Sequence, residues 1–174
     1  MSEDKKIDIE TEAEFLANVI ALKMEFEERL EGLADCLAIH NNPAASDVFR
    51  GLASHITSNI QKLEAVAANH QLPVIPPWEY QWHCSDDPEA LCIDQAHYMM
   101  SSRQALELAL FNEKRSVEFL NKVVDQVNNN AVKQLAAGMI AMEQEFTESM
   151  QQALDDMEDD MQPCEDLDPP NMPE

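Results

Sequence analysis

The chain has only 3 glycines in 174 residues. Few positions can therefore take the conformations that tight turns between many short strands require, which argues against a sandwich or an open sheet. Basic residues are also few, 11 Lys and Arg against 34 Asp and Glu, for a net charge of −23. Without clustered cations there is nothing to hold phosphates, so nucleic acid is excluded as a partner and an anionic membrane surface is disfavoured. Apolar runs are short and broken by charge, so no bilayer span is expected. The start, Met1-Ser2-Glu3-Asp4-Lys5-Lys6, lacks the apolar core of a secretion signal. A cytoplasmic location is the expectation. The four cysteines, Cys36, Cys84, Cys92 and Cys164, form no CxxC pair, which removes zinc-ribbon and rubredoxin-type sites.

What the chain does have is helical periodicity, so the expected fold class is all-α. Phe15, Val19, Leu22, Phe26, Leu30, Leu33 and Leu37 recur three and four apart, the mark of one buried helical stripe from about Thr11 or Glu12 to Ile39. Asn42-Pro43 then reads as an N-cap and first helical residue. A second stripe runs Val48, Leu52, Ile56, Asn59, Leu63, Val66 and must end before Leu72-Pro73. A third runs Leu106, Leu110, Glu113, Val117, Leu120, Val124, Val127. A fourth runs Val132, Leu135, Met139, Glu143, Phe146, Met150, Leu154. An offset of 87 carries Asn41 onto Asn128, Asn42 onto Asn129 and Ile56 onto Glu143, which suggests a duplicated hairpin. Two tight hairpins joined by a long crossover, about 71–99, is the connectivity of a ferritin-like four-helix bundle. The organisation expected is a flexible N-terminus over 1–10, the bundle over 11–158 and an acidic, proline-bearing disordered tail over 159–174. That tail would keep the protein soluble or receive a basic protein partner.

Lys23, Asn59, Glu113 and Glu143 fall on inward stripes, one on each helix. Polar groups buried at mid-bundle are costly unless paired or metal-bound, so these four mark a site. Trp78, Tyr80 and Trp82 sit in the crossover, either as a lid over the bundle or as a partner surface.

The chain resembles rubrerythrin-like members of the ferritin-like superfamily from about Glu12 to Leu154. The resemblance rests on Ala21-Leu22-Lys23-Met24-Glu25, the turn His40-Asn41-Asn42-Pro43, Phe49-Arg50-Gly51-Leu52, Pro77-Trp78-Glu79-Tyr80-Gln81-Trp82, His97-Tyr98-Met99-Met100, Ala105 to Leu110, and Ala141 to Phe146. It implies a di-iron centre with one Glu from the first helix of each hairpin and an E-x-x-H pair from the second. Carried over, those ligands fall on Lys23, on Ile56 with Asn59, on Glu113, and on Glu143 with Phe146. Two carboxylates survive of six ligands, and Lys23 brings a cation of its own. The expectation is a degenerate di-iron site with no metal and no catalytic residues, in a protein that works by protein–protein contact. Its partner would be a second copy or a ferritin-like paralogue. The alternative is an iron-binding protein or oxidoreductase using Glu113, Glu143 and Asn59.

Overall fold

A computed structural model describes residues 7–80 and 98–157. Within them the chain forms four long helices and no β-strand: α1 (Glu12–Ile39), α2 (Pro43–Ala67), α3 (Ser102–Gln126) and α4 (Asn130–Asp156), with a short 3₁₀ turn at Pro77–Glu79. α1 packs along α2 and α3 along α4, which makes two hairpins. The expected tail over 159–174, Cys84, Cys92, Cys164 and Trp82 lie outside the described residues.

Each helix start is chemically marked. Thr11 caps α1 in a capping box with Glu14, and Ser101 caps α3 in one with Gln104. Asn42 caps α2 with Pro43 at the first position, and Asn129 caps α4. α1 closes in a Schellman arrangement: Asn42 N–H donates to the Leu37 carbonyl at 2.9 Å and Asn41 N–H to that of Ala38 at 3.0 Å. The motif needs a left-handed residue, and Asn41 supplies it at φ 61°, a conformation asparagine tolerates better than most residues.

The two cap asparagines also lock the hairpins together. Asn42 Nδ2 donates to the carbonyls of Tyr98 (3.1 Å) and Met100 (2.8 Å), just ahead of α3. Asn129 Nδ2 donates to the carbonyl of Glu10 (3.0 Å), just ahead of α1. Each hairpin's turn thus clamps the lead-in of the other hairpin's first helix. These contacts also place the start of α3 beside the α1–α2 turn, at the opposite end of the bundle from the end of α2. The connection over 68–101 therefore begins at one end of the bundle and finishes at the other. Helices α2 and α3 run parallel, and the fold is a ferritin-like four-helix bundle.

Two expectations need correction. Residues 7–10 were assigned to a flexible N-terminus, yet Ile7 and Ile9 are buried and Ile7 N–H donates to Gln126 Oε1 at 3.1 Å. They join a core cluster drawn from all four helices, and Gln126 lies in the other hairpin, so no pattern local to 1–10 announces their burial. Val66, assigned to the inner stripe, is exposed because α2 ends one residue later, where its last turn runs past the packed core.

Candidate functional site

The apolar core is divided into two clusters. One holds Leu30–Leu37 of α1, Phe49–Ile60 of α2, Ala105–Leu110 of α3 and Met150 with Leu154 of α4. The other holds Phe15–Ile20, Leu63 with Ala67, Phe119–Val123 and Val132–Met139, with Ile7 and Ile9. Lys23, Asn59, Glu113 and Glu143 are all buried and occupy the seam between these clusters, one from each helix. The structure brings together the four residues that periodicity selects.

At the centre of this layer Lys23 Nζ lies 2.6 Å from Glu143 Oε1, with the two side chains 7% and 1% exposed. The pair joins α1 to α4, and hence one hairpin to the other. Counted as carboxylates, Glu113 and Glu143 are poorly satisfied. Glu113 Oε2 and both Glu143 oxygens are buried, and the Lys23 ammonium, which also hydrogen-bonds Glu143, is the cation set against them. Two carboxylates and one ammonium also leave a buried net charge. One proton resolves both problems. The two carboxyl groups lie within hydrogen-bonding reach of each other, so a protonated Glu113 donates to an ionised Glu143. Burial raises the Glu113 carboxyl to about 8 against the opposing pull of Lys23, with the Glu143 charge adding to the rise. Burial also pushes Glu143 upward, but the Lys23 ammonium and the Glu113 hydrogen bond prevail and hold it below the usual carboxylate range.

Asn59 is expected to bond to the Lys23–Glu113–Glu143 group. Its amide instead lies 3.1 Å from His55 Nε2, one turn earlier on α2. The His55 ring stacks flat on Phe146 of α4, with centroids 3.5 Å apart and planes 8° from parallel. His55 belongs to the site on electrostatic grounds as well. Burial lowers its pKa, Glu143 opposes that fall, and Lys23 and Lys62 add to it. In sequence His55 stands one residue before Ile56, beside the inward stripe rather than on it. The missed signal is its i,i+4 spacing to Asn59, which turns a border histidine toward the polar layer.

Ile56 and Phe146, the two apolar replacements in the expected ligand set, take different places. Ile56 is fully buried in the core, and Phe146 packs against the same cluster while covering His55. Among the described residues, no three His, Cys, Asp or Glu side chains converge as metal ligands would. No helix among them is long and apolar enough to cross a membrane. Of the aromatic loop, Trp78 is 81% exposed, so it does not cap the bundle, and Tyr80 is half-buried.

Among solved structures the chain is similar to that of COG1633, an uncharacterized conserved protein from Magnetospirillum magnetotacticum MS-1. The TM-score is 0.64 at 32% sequence identity, covering 85% of this chain and 96% of that one. No family model matches the chain, and no curated protein does.

Proposed function

The chain belongs to the COG1633 family, and we propose that within it this protein is a rubrerythrin-like bundle whose di-iron centre has given way to a metal-free polar core, and that it acts by binding protein rather than by catalysis. The observation that carries the reading is the Lys23 ammonium 2.6 Å from Glu143, in the position a bridging cation would need. A di-iron centre requires several anionic oxygens and usually imidazoles around two cations. Here only Glu113 and Glu143 are anionic donors, and one of them holds a proton. The half-buried imidazole, His55, is engaged by Asn59 and stacked on Phe146. A second cation beside the ammonium would meet like charge with nothing to offset it. The residues present do not fit the metal centre that the fold family implies.

The alternative, iron held by Glu113, Glu143 and Asn59, has the Asn59–His55 contact and the position of Lys23 against it. The partner in this reading is a second copy of the chain or a paralogous bundle. Exposed Val74 and Trp78 on the crossover, and Ile39, Tyr98 and Met99 beside the α1–α2 turn, supply apolar contact surface. A cytoplasmic setting, with free thiols such as exposed Cys36, belongs to the same reading.

Metal analysis of the purified chain tests the core of the proposal, and iron near two atoms per chain would overturn it. Sedimentation over a range of concentrations tests the contact surface. Self-association is expected, and a monomer mass at every concentration rejects the homodimer.

A further inference from the structure

We infer that the proline-rich strap that follows α2, residues 71–79, is the surface through which two copies of this chain join, the straps lying antiparallel across a twofold axis with Trp78 of each copy packed on the Pro73–Val74 ridge of the other.

Charge decides where two such copies can meet. Each carries −23, so most of their faces repel one another. The longest stretch of the chain without Asp, Glu, Lys or Arg is 65–78, between Glu64 and Glu79. Exposed large apolar side chains gather in that same stretch, at Val66, Leu72, Val74 and Trp78. Val74 is 97% exposed and Trp78 81%. An apolar group left in water on a strongly charged molecule marks a contact face. A basic partner would be drawn to the acidic faces. A partner of the same charge can approach only where charge is absent, and that selects a second copy.

The strap is also stiff. Pro73, Pro76 and Pro77 fix three of its backbone angles, and Pro76 sits at φ −70°, ψ 150°, in the polyproline II region. Trp78 rides on the 3₁₀ turn Pro77–Glu79, where Glu79 N–H donates to the Pro76 carbonyl at 2.9 Å and Tyr80 N–H to that of Pro77 at 3.3 Å. The ring is therefore presented on an ordered support, and little conformational freedom is lost when it docks. Prolines in this conformation are surfaces on which aromatic side chains pack. One segment here carries both halves of that contact.

The pattern of exposure is itself symmetric. Pro73 and Val74 are exposed, Ile75 and Pro76 half-buried, Pro77 and Trp78 exposed again. A twofold axis between Ile75 and Pro76 sets Trp78 opposite the partner's Pro73 and Pro77 opposite the partner's Val74. It also sets Glu79 opposite the partner's Leu72, so the nearest carboxylates do not face each other. Such a contact uses the same patch on both copies and closes at two.

The inference rests on the self-association in the proposed function, and sedimentation of the full chain separates the two. Wild type should form a dimer that tightens as salt rises, because screening relieves the repulsion and leaves the apolar contact intact. Trp78→Ala should weaken it about 30-fold for each ring lost, and a symmetric dimer loses two. Val74→Glu places a charge on each side of the contact and should leave a monomer. Both side chains are exposed, so circular dichroism should show unchanged helix. Ile39→Glu, in the apolar group beside the α1–α2 turn, should leave the dimer as it is. A dimer that survives both strap substitutions, or one that Ile39→Glu dissociates, overturns the strap and leaves self-association standing. Assemblies that keep growing beyond two overturn the twofold contact. A wild-type monomer at every concentration sinks the strap and the homodimer together.

Discussion

Replacing Glu113 with glutamine should make the protein more stable at pH 8 and remove most of its pH dependence between 6.5 and 8. In the unfolded chain this carboxyl titrates near 4.5, and in the folded chain burial raises it to about 8. A raised carboxyl contributes stability that is complete below the unfolded value and is lost as pH climbs through the folded one. Each pKa unit is worth about 1.36 kcal/mol, so the full window from 4.5 to about 8 spans at most ~5 kcal/mol, less any share of the proton held by Glu143. Two other groups bound the usable range. Glu143, held low, loses its contribution only in acid, as pH falls through its folded value. His55, lowered from 6.5, adds stability as pH rises and has finished doing so above 6.5. Between 6.5 and about 8, Glu113 acts alone of the three, and wild type should lose about 2 kcal/mol.

Glutamine has the same shape, cannot ionise, and still offers an N–H to Glu143. Urea unfolding at fixed ionic strength across this range should give a falling line for wild type and a nearly flat one for Glu113→Gln, the two crossing or converging toward acid. The overall charge of −23 also disfavours the compact state, but it acts on both proteins alike and cancels in the difference. Parallel profiles, or a Glu113→Gln chain less stable at pH 8 than wild type, would refute a protonated Glu113.

Lys23→Ala strands Glu143 in the seam and should cost about 3 to 5 kcal/mol near neutral pH, a fall of roughly 6 to 20 °C in Tm by calorimetry. An unchanged Tm contradicts the buried pairing of Lys23 with Glu143. Lys23→Glu restores a carboxylate where the resemblance expects one, and isothermal titration should detect tighter divalent-metal binding than in wild type. Asn42→Ala removes a helix cap and two bonds to the crossover, a loss of about 2 to 3 kcal/mol. It should also speed hydrogen exchange at residues 98–101 well before the rest of the bundle.

Much of the bundle was legible because its determinants are local. Asn42 with Pro43 marks the start of α2 within two residues of sequence, and the stripes of six or seven positions need no knowledge of the rest of the chain. The polar seam was legible for the same reason, since Lys23, Asn59, Glu113 and Glu143 interrupt those stripes at positions that must face inward. What escaped depends on contacts between distant residues. Ile7 and Ile9 are buried in a cluster drawn from all four helices, and nothing in 1–10 shows it. Asn59 meets His55, whose ring lies against Phe146 of α4, a contact between distant residues that the stripe does not show. Trp78 is large and apolar, which argues for burial, yet a single ring on a crossover needs a surface to land on and this one has none among the described residues.

The register of the internal repeat shows why the site is asymmetric. An offset of 87 relates the second helices, Asn42 to Asn129 and Ile56 to Glu143. The first helices follow a different one: an offset of 90 carries the caps Thr11 and Glu14 onto Ser101 and Gln104, and Lys23 onto Glu113. The two offsets differ by the three residues that separate a 28-residue α1 from a 25-residue α3. Lys23 and Glu113 are therefore equivalent positions, one an ammonium and the other a carboxyl, and Ile56 and Glu143 are equivalent positions of which only one is charged. A hairpin with Lys23 and Asn59 buries an ammonium with no anion of its own. A hairpin with Glu113 and Glu143 buries two carboxyls with no cation. Each is unstable alone and satisfied only by the other, and two copies of the same hairpin would bring either Lys against Lys or Glu against Glu. The polar layer thus opposes like pairing of the hairpins and favours the arrangement within one chain.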